Sequence, residues 1–323
     1  MNYTDREKNH RWIYTYDYAP DSFWEEWRTD NKKPSWIDEE ADRAADRVRR
    51  DLPSYILLAD SHFVYNGTWD DTASSMKTLS ERIPLHGVIH IGDLSDGMLP
   101  LEKTREIEHR VMSDMESLGL PVYVLAGNHD YNYFRGNPEV RYPEKPRFFI
   151  DDEKQKLRMV FIDSFDPKEE IRYGFTMECI GWLDEALKSM PEGYKAIVFS
   201  HVTPLVRLQA WARDIRNRNG LIGVLDRHAE KIMALITGHS HCDHLFNDLK
   251  NGQFPIISIN CAKCEYFVGH KPEGAVVPLR RLGDSSQESF DIMQIDTSNN
   301  ELFFTRFGAG WDRAVKDHKA FFV

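Results

Sequence analysis

The chain has 323 residues, of which 41% are hydrophobic and 29% charged, proportions that indicate a globular protein rather than a disordered or fibrous one. Its formal net charge of −11 argues against long nucleic acid as a partner, because that binding depends on basic residues that neutralise phosphates. No apolar stretch is long enough for a membrane span, and residues 1–10 lack the apolar core of a signal peptide. With only four cysteines and no disulfide framework, we expect a reducing, cytoplasmic compartment and no membrane partner.

Residues 1–53 differ in composition from the rest of the chain, since they hold many charges and four of the eight tryptophans. Residues 22–27 predict a short helix, and residues 38–50 predict a longer charged helix with one weakly apolar side. The segment is too polar to fold alone. We therefore predict a tryptophan-rich helical arm that docks on the main domain or on a second subunit, and the sequence leaves the oligomeric state open.

From residue 54 onwards, short apolar runs alternate with helical patterns, which indicates a largely parallel sheet inside one α/β domain over residues 54–323. Two runs at 290–295 and 302–307, joined by a polar turn, predict a hairpin. This extra β-structure suits two packed sheets flanked by helices. The other predicted strands cover residues 55–59, 87–91, 121–126, 157–162, 195–200, 232–237 and 254–259, and the predicted helices cover residues 70–82, 101–118 and 176–189.

Three long segments interrupt this alternation, namely residues 131–156, residues 202–223 and an insertion at 263–289. Long loops at the mouth of a site usually carry substrate contacts. Arginines clustered in the second segment suit an anionic ligand. We predict that Tyr131, Arg207 and Arg213 contact the substrate.

Five short motifs of possible metal ligands follow the apolar runs. Strand ends are where α/β folds place their chemistry, so we expect these side chains to meet at one edge of the sheets. Carboxylates mixed with several imidazoles suit divalent ions of the Mn, Fe or Zn class better than Mg or Ca. The motifs are Asp60-Ser-His62, Gly92-Asp93-Leu-Ser-Asp96, Gly127-Asn128-His129-Asp130, Ser200-His201 and Gly238-His239-Ser-His241.

Two such ions, roughly 3.5–4 Å apart, hold a hydroxide between them and neutralise phosphate oxygens. The leaving group then needs a proton donor. His129 lies beside Asn128 and faces elsewhere if Asn128 faces a metal, which makes His129 the candidate catalytic histidine. Such a histidine needs an acceptor to orient it, and we predict Asp96 for that role.

In order and spacing, the five motifs resemble those of the calcineurin-like metallophosphoesterase superfamily over roughly residues 54–307. The resemblance implies a four-layer α/β/β/α sandwich of two mixed sheets flanked by helices, with a dinuclear centre at the strand ends. It also implies that Asp93 bridges the two ions, that His129 is catalytic and that Asp96 orients it. The implied ligands of one ion are Asp60, His62, Asp93 and His241, and those of the other are Asp93, Asn128, His201 and His239.

Gly97 follows Asp96, where the protein Ser/Thr phosphatase branch of this superfamily has a phosphate-binding arginine. The resemblance therefore favours the phosphodiesterases and the small-molecule phosphatases, and we expect hydrolysis of a small phosphate ester. A nuclease and a scaffold without catalysis are the alternatives. His90 is interpreted as a core histidine, and the pair Cys261 and Cys264 as two ordinary cysteines rather than a zinc site or a reactive dithiol.

Overall fold

The structure is a computed structural model that describes residues 32–63, 68–97, 101–131, 145–208, 214–247, 254–264 and 271–323. The helix predicted at 22–27 and the predicted substrate residue Arg213 lie outside these ranges. The α-helices in the described residues are α1 (Trp36–Ala45), α2 (Trp69–Ser80), α3 (Leu101–Glu116), α4 (Met177–Lys188) and α5 (Arg218–Arg227).

A seven-stranded sheet has the order β13-β12-β11-β10-β1-β2-β3. The strands β1, β2 and β3 run parallel to one another, whereas β10 pairs antiparallel with β1 and begins an antiparallel meander. The bounds are β1 (Ser54–Leu58), β2 (Gly87–His90), β3 (Val122–Val124), β10 (Ser289–Asp296), β11 (Glu301–Gly308), β12 (Arg313–Lys316) and β13 (Lys319–Phe322).

A six-stranded sheet has the order β4-β5-β6-β7-β9-β8. Its four inner strands are parallel, and the two edge strands, β4 and β8, are antiparallel to their neighbours. The bounds are β4 (Phe148–Asp152), β5 (Leu157–Ile162), β6 (Lys195–Ser200), β7 (Ile232–Thr237), β8 (His244–Phe246) and β9 (Ile256–Ser258).

Alternate side chains of β1 belong to two different hydrophobic layers, because successive residues of a strand point to opposite faces of its sheet. Ile56 and Leu58 pack with residues of α1, α2 and α3 on the outer face. Tyr55, Leu57 and Ala59 pack against the second sheet. The β1 strand is thus buried on both faces, which explains its continuous apolar sequence.

The second sheet repeats this arrangement on its own two faces. Met159 and Phe161 of β5 point towards the first sheet, whereas Val160 and Ile162 pack under α4 and α5. The layers are therefore helix, sheet, sheet and helix, as the sequence predicted, and the fold class is confirmed. All the parallel strands of one sheet run in one direction, so the loops that follow them gather at one edge.

Several predicted boundaries differ from the structure. The helix predicted at 38–50 ends at Ala45, and beyond it the side chain of Gln294 in β10 bonds both the N–H and the carbonyl of Arg49. The segment 131–156, predicted as a loop, contains the strand β4, and the segment 202–223 contains the start of α5. The strands β8, β12 and β13 were not predicted.

Candidate metal centre

Five of the predicted ligands have a left-handed backbone conformation. A positive φ is uncommon outside glycine, although aspartate and histidine tolerate it better than most residues. Such strained backbone clusters at functional sites, where it re-aims side chains. The φ angles are 54° at Asp60, 40° at His62, 58° at Asp93, 64° at His239 and 50° at His241.

The predicted ligands are also buried, which is unusual for acidic and imidazole side chains. The most exposed of them is His241, at 6% of its surface, and Asp60 and His201 are fully buried. Burying carboxylates without compensation costs several kcal/mol per ion. The side chains must therefore compensate one another or be compensated by a bound cation.

A first group of ligand atoms surrounds the Nε2 atom of His241. That atom lies 3.0 Å from Nε2 of His62 and 3.4 Å from Oδ1 of Asp60. Oδ2 of Asp93 lies 3.5 Å from Nε2 of His62. These four side chains are those predicted for one metal ion.

A second group surrounds the Nε2 atom of His201, which lies 3.2 Å from Oδ2 of Asp93 and 3.3 Å from Oδ1 of Asn128. His239 completes this group, since ligand atoms of Asp93, His201 and His239 lie within 4.8 Å of one another. The same oxygen of Asp93 thus lies beside both groups, in the position expected of a bridging carboxylate. That these residues bind metal stays a prediction.

Two buried atoms of the predicted ligands are evidence that a cation binds between these side chains. Oδ2 of Asp93 and Nε2 of His239 make no hydrogen bond to any residue that the structure describes. Buried polar atoms are normally hydrogen-bonded, so each exception needs an explanation such as an ion. Carboxylate oxygens and imidazole nitrogens at this spacing fit divalent transition-metal ions.

Electrostatics in the centre favour charged carboxylates. Burial alone would raise the pKa of Asp60, but His241 and His201 outweigh it and lower that pKa to about 2. Burial lowers the pKa of His201, but Asp93 and Asp60 outweigh this effect and raise it to about 9. A cation bound here therefore takes the place of a proton as the charge that balances these carboxylates.

The other ring nitrogens of two ligand histidines face oxygen atoms outside the ligand groups. Nδ1 of His201 donates to the carbonyl of Ile91 at 2.8 Å, which leaves Nε2 directed at Asp93. Nδ1 of His62 lies 3.4 Å from Oδ1 of Asp96. Partners of this kind set the tautomer and the orientation of a metal-binding imidazole.

His129 and Asp96 are in contact through the main chain of Asp96. Nδ1 of His129 donates to the backbone carbonyl of Asp96 at 2.6 Å, while the carboxylate of Asp96 faces His62 and Lys263. The backbone N–H of His129 also donates to Oδ1 of Asp93, at 2.8 Å. The orienting role of Asp96 stays a prediction, and in the structure its carbonyl is the atom that faces Nδ1 of His129.

Asp130 has a structural role that the sequence analysis did not assign. Its buried carboxylate accepts from the N–H groups of Asp93 at 2.8 Å, Leu94 at 2.8 Å and Gly127 at 2.7 Å. It therefore joins the second motif to the third. The signal was present in the sequence, since an aspartate that follows Gly-Asn-His is well placed to bond nearby main-chain groups.

The predicted substrate residues lie at different places. The partly buried ring of Tyr131 lies 5.2 Å from that of Phe165. Arg207 is exposed, with its guanidinium 4.3 Å from the ring centre of Phe246. Arg213 is outside the described residues.

The remaining sequence signals have ordinary structural explanations. His90 is fully buried, and its ring nitrogens contact Oγ of Ser61 at 2.7 Å and the N–H of Gly92 at 3.2 Å, as expected of a core histidine. Cys261 and Cys264 are buried, and neither forms a disulfide within the residues that the structure describes.

A sequence profile of the calcineurin-like phosphoesterases matches residues 54–243. The matched segment is more than half of the chain and contains all five motifs. The chain belongs to the calcineurin-like phosphoesterase family. The resemblance predicted from the motifs is thereby confirmed, and the family assigns this domain to the metal-dependent phosphoesterases.

Solved structures of phosphatases share the fold. A dimetal phosphatase from Danio rerio has a TM-score of 0.62 and 14% sequence identity, with 82% of this chain and 99% of the other covered. A purple acid phosphatase from yellow lupin (Lupinus luteus) has a TM-score of 0.55 and 12% identity, with 85% of this chain and 53% of the other covered. At these identities the likeness shows the fold alone.

The uncharacterized protein YvnB of Bacillus subtilis (strain 168) is 23% identical over 164 residues, which are 46% of this chain and 13% of that protein. The chain thus spans a small part of this curated relative. In the residues that the structure describes, every helix is too short or too polar to cross a membrane.

Proposed function

We propose that the domain hydrolyses phosphate mono- or diesters of small molecules, using two divalent transition-metal ions of the Mn, Fe or Zn class. The observation that carries this proposal is the position of Asp93, whose Oδ2 atom lies 3.5 Å from Nε2 of His62 and 3.2 Å from Nε2 of His201. One carboxylate oxygen between two imidazole groups suits a shared ligand. All four cysteines are buried and form no disulfide within the part of the chain that the structure describes, which supports a reducing, cytoplasmic location.

Two divalent cations held by these ligands would supply an activated water and neutralise the charge of the phosphate oxygens. Asp60, His62 and His241 would hold one cation, Asn128, His201 and His239 the other, and Asp93 both. His129 has its Nδ1 proton committed to the carbonyl of Asp96. Its Nε2 atom is therefore the atom that delivers a proton to the leaving oxygen in this proposal.

A row of aromatic rings supports a substrate with a planar group. The ring of Tyr173 lies 4.9 Å from that of the ligand His239, and the ring of Phe165 lies 5.3 Å from that of Tyr173. Tyr131 extends the row. Such rings favour stacked or edge-on contacts with a planar leaving group, so we assign the half-buried Tyr131 and Tyr173 to substrate binding, with the buried Phe165 packed against both.

The test is Asp93→Asn, which keeps the size of the side chain and removes its charge. We expect the rate of hydrolysis of a generic aryl phosphate ester, measured with added Mn, Co or Zn, to fall at least about 100-fold, because several kcal/mol of charge stabilisation are lost. Asp152→Asn is the matched control, since Asp152 lies at the end of β4 and outside the ligand groups. It should keep the wild-type rate.

Four further results bear on the proposal. Undiminished turnover by Asp93→Asn contradicts it, and a wild-type protein that binds ions yet hydrolyses no ester supports the alternative of a scaffold without catalysis. Cleavage of circular DNA in preference to a bis-aryl phosphodiester supports a nuclease, against the net charge of −11. Faster turnover of aryl esters than of alkyl esters, compared for leaving alcohols of the same acidity, supports a role of the aromatic row in substrate binding.

A further inference from the structure

Lys263 is a buried lysine beside the candidate metal centre. It lies in the segment that follows β9, and 2% of its surface is exposed. A lysine ammonium group is almost never buried in this way unless it is paired, because its desolvation costs several kcal/mol. Its surroundings must therefore hold a compensating charge.

The carboxylate of Asp96 supplies that charge. Nζ of Lys263 lies 3.7 Å from Oδ1 of Asp96. The same oxygen lies 3.4 Å from Nδ1 of His62, a predicted metal ligand. Lys263, Asp96 and the imidazole of His62 thus form a continuous row that ends at the metal centre.

The main chain around Lys263 is fixed on both sides. Its N–H donates to the carbonyl of Asp60 at 3.3 Å, and the N–H of Ala262 donates to the carbonyl of Ala59 at 2.8 Å. The guanidinium of the buried Arg280 donates to the carbonyl of Lys263 at 2.6 Å and to that of Ala262 at 2.8 Å. The insertion that carries Arg280 therefore helps to hold Lys263 in place.

We propose that Lys263 is a positioning residue of the metal centre, which holds the carboxylate of Asp96 against His62 so that the Nε2 atom of His62 faces the cation. The inference rests on the proposed function, because it assumes that His62 is a ligand. It gives Asp96 a second role besides its carbonyl contact with His129. Removal of the residue that bonds the other ring nitrogen of a metal-binding histidine typically lowers metal affinity by about 10- to 100-fold.

Lys263→Met tests the proposal, because methionine keeps an unbranched side chain and removes the charge. In calorimetric titrations of the full chain with Mn, we expect this variant to bind at least one ion about 10- to 100-fold more weakly than the wild type. Arg158→Met is the matched control. It removes another buried cation, whose Nη2 lies 2.7 Å from Oδ2 of Asp151 in the β4–β5 pair, away from the ligand groups. It should lower thermal stability and leave Mn affinity unchanged.

A double-mutant comparison separates positioning from general stability. If Lys263 acts through Asp96, then Lys263→Met combined with Asp96→Asn binds Mn no more weakly than Asp96→Asn alone. Additive losses, or a single variant with wild-type affinity, overturn the inference. If Lys263→Met does not fold by circular dichroism, Lys263→Gln takes its place in both measurements.

The titration also distinguishes the two proposals. A wild-type protein that binds no Mn, Co or Zn contradicts the proposed function. A wild-type protein that binds Mn, together with a Lys263→Met variant of equal affinity, contradicts only the role of Lys263.

Discussion

Gly127 lies directly against the carboxylate that is shared by the two ligand groups. A methyl group on its Cα would collide with Oδ1 of Asp93 and would lie 2.5 Å from its backbone nitrogen. We expect Gly127→Ala to displace Asp93, to weaken Mn binding and to lower kcat by about 100-fold, a typical cost of a 1 Å misplacement. Calorimetric titration and steady-state kinetics with an aryl phosphate ester measure both effects.

Gly181 provides the control for this substitution. It lies inside α4, and beyond the backbone of its own helix no atom of a described residue lies within 4 Å of an added methyl group. Gly181→Ala should keep Mn affinity and raise the free energy of unfolding by up to about 1 kcal/mol, because alanine favours a helix over glycine. Wild-type Mn affinity in Gly127→Ala would show that the close contact with Asp93 is not required.

At the scale of single residues, the sequence pattern suggested that His129 and Asp96 act together but named no atoms. In the structure the carbonyl of Asp96 faces His129 and its carboxylate faces His62, because the direction of a side chain depends on the residues around it. Lys263 lies more than 160 positions after Asp96, and no local pattern links them. Its pairing depends on the loop after β9, which only the folded chain brings to the site.

At the scale of elements, α1 packs on the domain through small side chains. Ala41 and Ala44 are fully buried, and the helix lies against α2 and β11. Ala44→Leu should lower the free energy of unfolding by about 1–3 kcal/mol, because added methylene groups strain a close-packed core. Chemical denaturation of the variant and the wild type measures the difference.

Glu39 offers a matched position on the exposed side of the same helix. Glu39→Leu introduces the same side chain and should change the free energy of unfolding by no more than about 0.5 kcal/mol. Equal stabilities of the two variants would contradict the close packing of α1. Neither change should alter Mn affinity, because α1 contributes no predicted ligand.

The elements that were not predicted from the sequence are those whose hydrophobic pattern depends on distant partners. The strand β12 carries Arg313, which is fully buried through ion pairs with Asp243 and Asp291. From the sequence alone an arginine is expected to be exposed, because nothing local shows that those carboxylates face it. The weakly apolar side of α1 was predicted, whereas its end was not. The residues after it meet a distant strand, since Arg49 bonds the side chain of Gln294 in β10. The division at residue 53 and the insertion at 263–289 stay predictions.

At the scale of the molecule, the alternation of strands and helices indicated a parallel sheet but not how the strands divide between two sheets. In the structure, Ser54 of β1 pairs with Gln294 of β10, from the opposite end of the domain. Pairings this distant have no local signature. The motifs were nevertheless enough to predict the site, because each follows its own strand and all the relevant strands end at one edge.

The whole molecule should therefore be more stable with metal bound than without it. Charge and strain are concentrated at one edge of the two sheets. They come from the buried carboxylates and imidazoles and from the left-handed backbone at Asp60, His62 and Asp93.

An ion that binds only the folded state, present at 100 times its dissociation constant, adds about 2.7 kcal/mol to the free energy of unfolding. For a domain of this size that corresponds to a rise in Tm of about 4–5 °C. Differential scanning calorimetry after chelator treatment, with and without restored Mn, measures the rise. Asp93→Asn should show a much smaller rise, and an equal rise in that variant would place the stabilising ion outside this centre.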